Sequence, residues 1–401
     1  MSTIMTAVNV ASNIYWVGAI DWDIRHFHGQ TYNTNHGTTY NSYLIIDDKI
    51  TLVDAVQKSF AKEMLERISE IIPPEKIDYI VVNHIEPDHS GALTKLMEIC
   101  PNAKMYGSAK SKDGLLKTYH KKWDFTAVKT GDTLSLGKNT LQFIEAPMIH
   151  WPDSMFTYLQ EQKILLSNDA FGQHYASSER FDDEADETVF MDEASKYYAN
   201  ILWPLGSIIS KKLAEIGELN IPINMICPSH GLIFRKNHQK IINTYQLWTE
   251  NKTKPKAVVL FETMWGSTEL MARKIAEGIS SEGVSVTMYD ISKDDRTQIV
   301  NEMFEAKGYC IGSSTHDNDM LPTLAGFMHF LKGLKPKNRI GSVFGSYGWA
   351  GGAIKGIEEM LVKTGVEIVQ LSLGVPYVPD AKQEKKCIEF GREFAQKIKK
   401  L

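Results

Sequence analysis

Cysteine is scarce in this chain, and its spacing excludes several kinds of site. The 401 residues include four cysteines, which are Cys100, Cys227, Cys310 and Cys387. They form no C-x-x-C pair, which argues against a rubredoxin-like iron site or a zinc ribbon. Because isolated cysteines are typical of a reducing compartment, the sequence predicts a cytoplasmic protein.

Signals for membranes and nucleic acids are also missing. The amino-terminal stretch lacks a basic segment followed by an apolar core and a cleavage site, so we predict no signal peptide. No apolar run is long enough to cross a bilayer. The formal net charge is -5, without a long basic run. We therefore expect neither a nucleic acid nor a membrane as a partner.

The first half of the chain is rich in short apolar runs separated by turn residues. Residues 39–55 and 133–146 each have the pattern of a β-hairpin, and helical patterns lie between them. A helix-like stretch, 237–250, closes this half. Hairpins with helices packed outside predict an αβ/βα sandwich over residues 1–250.

The second half alternates strand and helix patterns. A polar stretch, 251–256, is predicted to be a linker. After it come five apolar strand-like runs, each separated from the next by a helix-length segment. Continuous apolar strands of this kind are typical of a sheet covered on both faces, so residues 257–401 are predicted to form a doubly wound parallel sheet.

A cluster of possible metal ligands follows a strand-like run in the first half. Within six residues lie four possible ligands, His84, Glu86, Asp88 and His89. Pro87 is expected to prevent this segment from continuing as a paired β-strand or as a helix. A single histidine is more often packed or exposed than a ligand, but burying four ionisable groups without a metal would be costly. The segment is therefore a candidate supplier of ligands to two neighbouring metals.

Three further candidates each come at the end of an apolar run. They are His150, Asp169 and His230. Side chains at the ends of neighbouring strands can meet at one edge of a sandwich fold. Carboxylates and imidazoles without a thiolate suit a hard, redox-active metal such as iron, whereas zinc tolerates the same ligands but accepts no electrons.

The order His-x-Glu-x-Asp-His, then His, Asp and His, resembles that of the metallo-β-lactamase-like fold. Hydrolases of that fold usually have histidine where this chain has Glu86, and the glutamate form resembles the flavodiiron (A-type flavoprotein) branch. The resemblance implies two irons per chain, one held by His84, Glu86 and His150, the other by Asp88, His89 and His230, with Asp169 bridging them.

The resemblance extends to residues around the predicted metals. His28, Trp151 and Tyr198 are predicted to line the pocket and to take part in catalysis, although a surface or packing role is open for His28 and Tyr198. Asp153, Ser154 and His174 match the family closely, and their implied work is to orient ligands through hydrogen bonds.

The second half carries three loops that resemble those of flavodoxin. Thr-x-x-Gly-x-Thr before a helix suits a phosphate, and aromatic side chains in the loops suit a flavin ring. There is no G-x-G-x-x-G signature, so FMN is favoured over FAD or NAD. The predicted FMN-binding residues are Thr263, Met264, Trp265, Gly266, Ser267, Thr268, Ser314, Thr315, His316, Asp317, Asn318, Asp319, Ser346, Tyr347, Gly348, Trp349 and Gly351.

The flavodiiron resemblance, which covers both halves, implies an oxidoreductase that reduces O₂ to water, NO to N₂O, or both, with electrons relayed through FMN. The resemblance implies a head-to-tail homodimer or a dimer of dimers. Since no rubredoxin-like motif occurs, the donor is expected in trans: a rubredoxin, or reduced deazaflavin F420. Two alternatives remain: a dizinc hydrolase with an accessory flavodoxin module, and an electron carrier that merely stores electrons in FMN.

Overall fold

A computed structural model describes residues 6–400 and divides them into two compact units. Unit 1 contains the chain up to Phe27 together with Thr34–Tyr197 and Ser207–Thr249. Unit 2 contains His28–Asn33, Tyr198–Gly206 and the chain from Glu250 onward. Unit 2 thus takes in two segments that the predicted boundaries assign to the first domain.

The strands of the first part of the chain are short. They are β1 (Val8–Ala11), β2 (Ile14–Trp16), β3 (Ala19–Asp21), β4 (His26–Phe27), β5 (Tyr32–Asn33), β6 (Thr38–Tyr40), β7 (Tyr43–Ile45), β8 (Thr51–Val53), β9 (Tyr79–Val82), β10 (Lys104–Gly107), β11 (Phe125–Ala127), β12 (Thr133–Ser135), β13 (Thr140–Glu145), β14 (Met155–Leu159), β15 (Ile164–Asn168) and β16 (Met225–Pro228). The predicted hairpins are confirmed as the antiparallel pairs β7–β8 and β12–β13.

Helices alternate with these strands. They are α1 (Ala61–Ile71), α2 (Pro87–Ser90), α3 (Leu93–Ile99), α4 (Ala109–Tyr119), α5 (Glu187–Tyr197), α6 (Gly206–Glu218) and α7 (His238–Thr249). A π-helical turn, Tyr198–Leu202, and a 3₁₀ turn, Trp203–Leu205, connect α5 to α6.

Two sheets form the sandwich of unit 1. In residues 6–400 one sheet has the order β1-β2-β7-β8-β9-β10-β11 and the other the order β12-β13-β14-β15-β16. Buried side chains of both sheets meet in one cluster, which includes Trp16 and Val81 from the first sheet and Phe143 and Leu166 from the second. The predicted sandwich is confirmed, and its core lies between the two sheets.

Unit 2 is built on parallel strands. They are β17 (Lys254–Glu262), β18 (Ser285–Asp290), β19 (Ala306–Ser314), β20 (Ile340–Tyr347), β21 (Glu367–Ile368) and β22 (Leu373–Pro376). The helices are α8 (Ser267–Ser281), α9 (Arg296–Glu305), α10 (Pro322–Leu334), α11 (Ala353–Thr364) and α12 (Ala381–Lys400). The order β18-β17-β19-β20, followed by β21 and β22 on the same edge, is the predicted doubly wound arrangement.

Two boundaries in unit 2 differ from the sequence prediction. β17 begins at Lys254, inside the predicted linker, because the backbone pairs there with Ala306 of β19 and Ser285 of β18. Lys254 and Lys256 also form ion pairs with Glu305 and Glu302. The fifth predicted strand is interrupted between β21 and β22. There the Gln370 side chain donates to Ser342 Oγ and the Phe390 carbonyl, so the strand leaves the sheet.

None of the helices within residues 6–400 combines the length and apolar character that crossing a membrane requires.

Candidate metal centre and flavin-binding loops

The ligand-rich segment follows β9 directly. Its histidines His84 and His89 and its carboxylate Asp88 are buried. Pro87 does not stop a helix here; it is the first residue of α2, a position where its missing N–H costs nothing and its fixed φ favours the helix. Asp88 and His89, which lie in the short α2, belong to a different group of possible ligands from His84 and Glu86.

Four side chains converge into a first cluster of candidate ligands. In the cluster of His84, Glu86, His150 and Asp169 the ligating atoms all lie within 4.8 Å of one another. Glu86 Oε2 is 3.3 Å from His84 Nε2 and 3.2 Å from His150 Nε2. Asp169 Oδ2 is 3.1 Å from His150 Nε2 and 3.5 Å from His84 Nε2.

A second cluster lies on the other side of Asp169. Asp88, His89 and His230 bring their ligating atoms within 4.8 Å of one another, and Asp88 Oδ2 is 3.1 Å from both imidazole Nε2 atoms. Asp169 Oδ1 is 3.0 Å from His89 Nε2 and 3.6 Å from His230 Nε2. The two oxygens of Asp169 therefore face different clusters, as a bridging carboxylate requires.

The electrostatics of the clusters favour bound cations. Burial alone lowers the pKa of His89, but the charges of Asp88 and Asp169 outweigh it and raise that pKa to about 9. For His150, burial is likewise outweighed by hydrogen bonds to Asp169 and Glu86, which raise its pKa to about 9. Burial raises the pKa of Asp169, yet the neighbouring imidazoles hold it well below its usual value. The carboxylates of Asp88, Asp169 and Glu86 thus stabilise positive charge in the site, and bound metal ions would supply that charge.

Unsatisfied polar atoms point to the same conclusion. Asp88 Oδ1 and His89 Nε2 are buried and make no well-aligned hydrogen bond to any described residue. Buried polar atoms normally have hydrogen-bond partners, so these two unsatisfied atoms indicate that the cluster binds a metal ion. Four imidazoles and three carboxylates, arranged around a shared carboxylate, fit a pair of iron ions.

Hydrogen bonds behind the ligands fix their orientation. His84 Nδ1 donates to Asp153 Oδ2 over 3.1 Å, and the same oxygen accepts the Ile85 amide at 2.9 Å. His230 Nδ1 donates to the Thr39 carbonyl over 2.6 Å. In both histidines this leaves Nε2 facing the carboxylates, which is the tautomer a metal needs.

The structure also places the other family-like residues. Ser154 Oγ accepts the Trp151 amide at 3.2 Å, so it stabilises the turn after His150. His174 Nδ1 lies 2.8 Å from Thr38 Oγ1, and its ring is 4.8 Å from that of His230. Ser154 and His174 thus each lie close to a candidate ligand.

Of the three residues predicted to be catalytic, Trp151 belongs to unit 1 and lies beside the clusters. Its ring is 5.1 Å from His84 and 6.1 Å from His150, and the side chain is 36% exposed. His28 is exposed and belongs to unit 2. The preceding residue, Phe27, packs against His174 at 4.5 Å and His230 at 5.7 Å instead.

Tyr198 is the first residue of the π-helical turn after α5. It is buried in unit 2, where its ring packs 5.4 Å from Phe304. Tyr197 lies in unit 1, with its ring 5.1 Å from His174 and 6.2 Å from His230. Successive residues of a helix point about 100° apart, so the two adjacent tyrosines point in different directions. Tyr197 is thus a candidate site residue that the sequence analysis did not single out.

Three loops of unit 2 meet at the carboxyl ends of β17, β19 and β20. Thr263 Oγ1 accepts the amide of Gly266, whose φ of 87° suits glycine, and α8 begins at the next residue. Thr268 Oγ1 lies 2.9 Å from Ser314 Oγ and 2.8 Å from Ser346 Oγ. A cluster of hydroxyls at the start of a long helix fits a phosphate group.

The loops also expose flat apolar side chains. Trp265 is 91% exposed and Trp349 is 94% exposed, which is unusual for indoles in a soluble unit. Tyr347 ends β20 nearby and packs against the position of Gly351. In this strand order ligands bind where the winding direction reverses, between β17 and β19. The hydroxyl cluster and the indoles therefore fit the phosphate and the ring system of FMN.

The rest of the predicted flavin residues are distributed over the same loops. The His316 and Asp319 backbones exchange hydrogen bonds of 2.9 Å, which closes a tight turn through Asp317 and Asn318. Thr315 Oγ1 accepts the Gly352 amide at 3.3 Å, which ties this loop to the one after β20. Met264 and Gly348 lie in the loops with Trp265 and Trp349.

Comparisons with known proteins agree with both halves. The ODP family beta lactamase profile matches residues 38–231, and the flavodoxin profile matches residues 259–391. A nitric oxide reductase of Moorella thermoacetica is 47% identical over 393 residues, which is 98% of each chain.

Solved structures match over the whole length. The rubredoxin oxygen:oxidoreductase of the anaerobe Desulfovibrio gigas superposes with a TM-score of 0.96 at 38% identity, covering 98% of this chain and 99% of that chain. The flavodiiron protein of Giardia intestinalis superposes with a TM-score of 0.94 at 31% identity, covering 99% and 97%. A flavodoxin domain implies FMN, and the two carboxylate–histidine clusters fit a diiron site. The chain belongs to the flavodiiron protein family.

Proposed function

We propose that this protein is an oxidoreductase that reduces NO to N₂O, O₂ to water, or both, with electrons that enter through FMN. The observation that carries the proposal is the carboxylate of Asp169, whose two oxygens face two separate ligand clusters, one of which contains Glu86. Relatives over nearly the full chain are a nitric oxide reductase and a rubredoxin oxygen:oxidoreductase.

The proposed ligands divide as the clusters do. His84, Glu86 and His150 would hold one iron, and Asp88, His89 and His230 the other, with Asp169 shared between them. When bound, the two irons and FMN supply the electron storage and transfer that the reduction of a diatomic gas needs. The predicted loop residues of unit 2 would bind FMN, with the phosphate at Thr263–Thr268.

The chain's own residues prepare this chemistry. Asp153 and the Thr39 carbonyl hold His84 and His230 with Nε2 directed at the carboxylates. Phe27 covers the side of the cluster next to His174 and His230, which limits the entry of water there. Burial and the charge of Asp169 hold the pKa of Tyr197 well above its usual value, so this hydroxyl stays protonated and is able to donate.

The partners follow from the same reasoning. We propose a rubredoxin as the electron donor, because the structural relative from Desulfovibrio gigas acts with one by name; reduced deazaflavin F420 is the second candidate. We further propose a head-to-tail homodimer, or a dimer of dimers, in the cytoplasm. The four cysteines are free and buried, as expected in a reducing compartment.

Anaerobic stopped-flow mixing tests the proposal. The purified, chemically reduced protein is mixed with O₂ and, separately, with NO, alongside counts of iron, zinc and FMN. We expect fast reoxidation by at least one gas, with about two irons and one FMN per chain. The variant Asp169→Asn should lose metal and reoxidation, whereas Asp113→Asn, which alters an exposed carboxylate paired with Lys117, should keep both.

Two results would contradict the proposal. Slow reoxidation by both gases in iron-loaded protein would refute gas reduction. A zinc pair without iron would favour a dizinc hydrolase.

A further inference from the structure

The turn that carries Asp169 contains an unusual backbone conformation. Asn168 and Phe171 both have positive φ, at 51° and 68°. Asparagine adopts this left-handed region readily, but for a bulky residue such as phenylalanine it is unfavourable. Contacts from outside the turn must therefore stabilise Phe171 in this conformation.

Tyr245 on α7 makes these contacts. The Phe171 amide donates a hydrogen bond of 2.8 Å to Tyr245 Oη. The two rings also pack with their centroids 4.6 Å apart, and both side chains are buried. One tyrosine thus holds both the backbone and the side chain of Phe171.

The turn has little freedom elsewhere. The Gly172 amide donates to the Asp169 carbonyl over 3.1 Å. A Cβ at Gly172 would lie 3.1 Å from that carbonyl oxygen and 3.5 Å from the His230 Cβ, so the turn packs closely against a second candidate ligand. A shift at Phe171 would consequently move Asp169.

The carboxylate of Asp169 is sensitive to such a shift. Ser229 Oγ donates to Asp169 Oδ1 over 2.7 Å, which orients one oxygen. The direction of the other oxygen, towards His84 and His150, depends on the backbone of the turn. Both oxygens must be placed at once if the residue is to bridge two metals.

We propose that Tyr245 is a positioning residue for the bridging carboxylate. By holding Phe171 in the left-handed region, it sets the Asp169 turn so that each carboxylate oxygen meets its own ligand cluster. The inference rests on the proposed function only in taking Asp169 as a metal bridge. Tyr245 acts through Phe171, which it contacts with both its hydroxyl and its ring.

Cobalt titration of the full chain tests this role. The variants are Tyr245→Phe, which removes the hydroxyl that holds the Phe171 amide, and Tyr158→Phe as a matched control. Tyr158 is also buried in unit 1, and its hydroxyl donates to the Pro222 carbonyl over 2.6 Å. The affinity for Co²⁺ is measured by competition with a chelator, the coordination by visible absorption, and the melting temperature in metal-free protein.

Tyr245→Phe should bind Co²⁺ at least about tenfold more weakly than wild type, with altered absorption bands, because residues behind metal ligands typically contribute that much. Tyr158→Phe should bind as wild type does.

Two outcomes would overturn the inference. They are a Tyr245→Phe affinity within twofold of wild type, and a loss of affinity no greater than in Tyr158→Phe at equal melting temperature. A wild-type protein that binds Co²⁺ but reduces neither gas would instead refute the proposed function and leave this comparison standing.

Discussion

At the scale of single residues, Asp54 connects the two segments that carry most of the candidate ligands. It follows β8 and is buried. Its Oδ1 accepts the Asn83 amide at 2.7 Å, and its Oδ2 accepts the side-chain amides of Asn83 and Asn168 at 3.1 and 3.2 Å. Asn83 precedes His84 and Asn168 precedes Asp169, so one carboxylate ties both ligand segments together.

Asp54→Asn should therefore weaken both folding and metal binding. Asparagine has an NH₂ group where aspartate has one of its two carboxylate oxygens. This NH₂ group donates hydrogen bonds, but it would face N–H groups of Asn83 and Asn168 that also donate. Asn83 and Asn168 cannot reverse their amides without losing the Thr157 hydroxyl and the Asp169 amide as partners. We expect a loss of about 1–3 kcal/mol in the free energy of unfolding and of roughly 10–100-fold in metal affinity.

Urea unfolding of metal-free protein and a metal titration measure these two losses. Asp113→Asn is the control, because that exposed ion pair with Lys117 should contribute less than about 1 kcal/mol. Equal behaviour of the two variants would show that Asp54 does not organise the site.

The adjacent tyrosines Tyr197 and Tyr198 offer a second comparison at this scale. Tyr197 faces His174 and His230, whereas Tyr198 packs on Phe304 in unit 2. Reduction of NO or O₂ consumes protons, and a positioned proton donor typically accelerates such a step about a hundredfold or more. Tyr197→Phe should slow single-turnover reoxidation by roughly that factor with iron content unchanged, and Tyr198→Phe should not. If Tyr198→Phe slowed reoxidation more than Tyr197→Phe, the catalytic role that the sequence predicts for Tyr198 would be supported instead.

At the scale of elements, α8 and α12 cross at two glycines. A Cβ at Gly391 would collide with the Ile275 carbonyl oxygen of α8, and one at Gly278 would collide with the Ile388 carbonyl oxygen of α12. The helices therefore approach backbone to backbone. Their buried side chains, such as Ile275 and Phe394, belong to the main hydrophobic cluster of unit 2.

Gly391→Ala should push these helices apart and destabilise unit 2 by about 1–3 kcal/mol. Gly326→Ala in α10 is the matched control, because a Cβ there meets nothing within 4 Å; better helix propensity should stabilise it by about 0.5–1 kcal/mol. Thermal unfolding followed by FMN fluorescence measures both. A Gly391→Ala protein as stable as wild type would show that the crossing adapts easily.

The sequence predicted much of this arrangement because the relevant signals are local. His84, Asp169 and His230 each follow an apolar run, and such runs became β9, β15 and β16. The flavin-binding loops were predicted in the same way, because they follow the apolar runs that form β17, β19 and β20. Side-chain direction within a helix is harder to predict, and the π-helical turn after Tyr197 has no clear sequence signal.

Contacts between distant segments were not predictable from local patterns. Asn200 donates to the Thr297 carbonyl over 3.1 Å, and Trp203 Nε1 donates to Asn251 Oδ1 over 2.8 Å. These bonds place Tyr198–Gly206 in unit 2, although its neighbours in the chain belong to unit 1. A linear division at residue 250 misses them, since it considers only composition along the chain.

At the scale of the whole molecule, the proposed head-to-tail dimer makes a prediction about two defective chains. Asp169→Asn should remove the metal pair and leave FMN in place. Ser267→Asp should remove FMN and leave the metals, because a carboxylate beside the hydroxyl cluster repels the phosphate. Aspartate is also favourable at the first turn of α8, so this variant should fold.

Each variant alone should be inactive, but mixed dimers should regain turnover. After subunit exchange in an equimolar mixture, about half of the dimers contain one chain of each kind. In these mixed dimers, the flavin of the Asp169→Asn chain would lie beside the metals of the Ser267→Asp chain. The second flavin site and the second metal site of the same dimer would both be empty. One working pair in half of the dimers gives about a quarter of wild-type activity per chain. If each flavin served the metals of its own chain, the mixture would stay inactive while FMN and metal counts remained as designed, and the head-to-tail dimer would have to be abandoned.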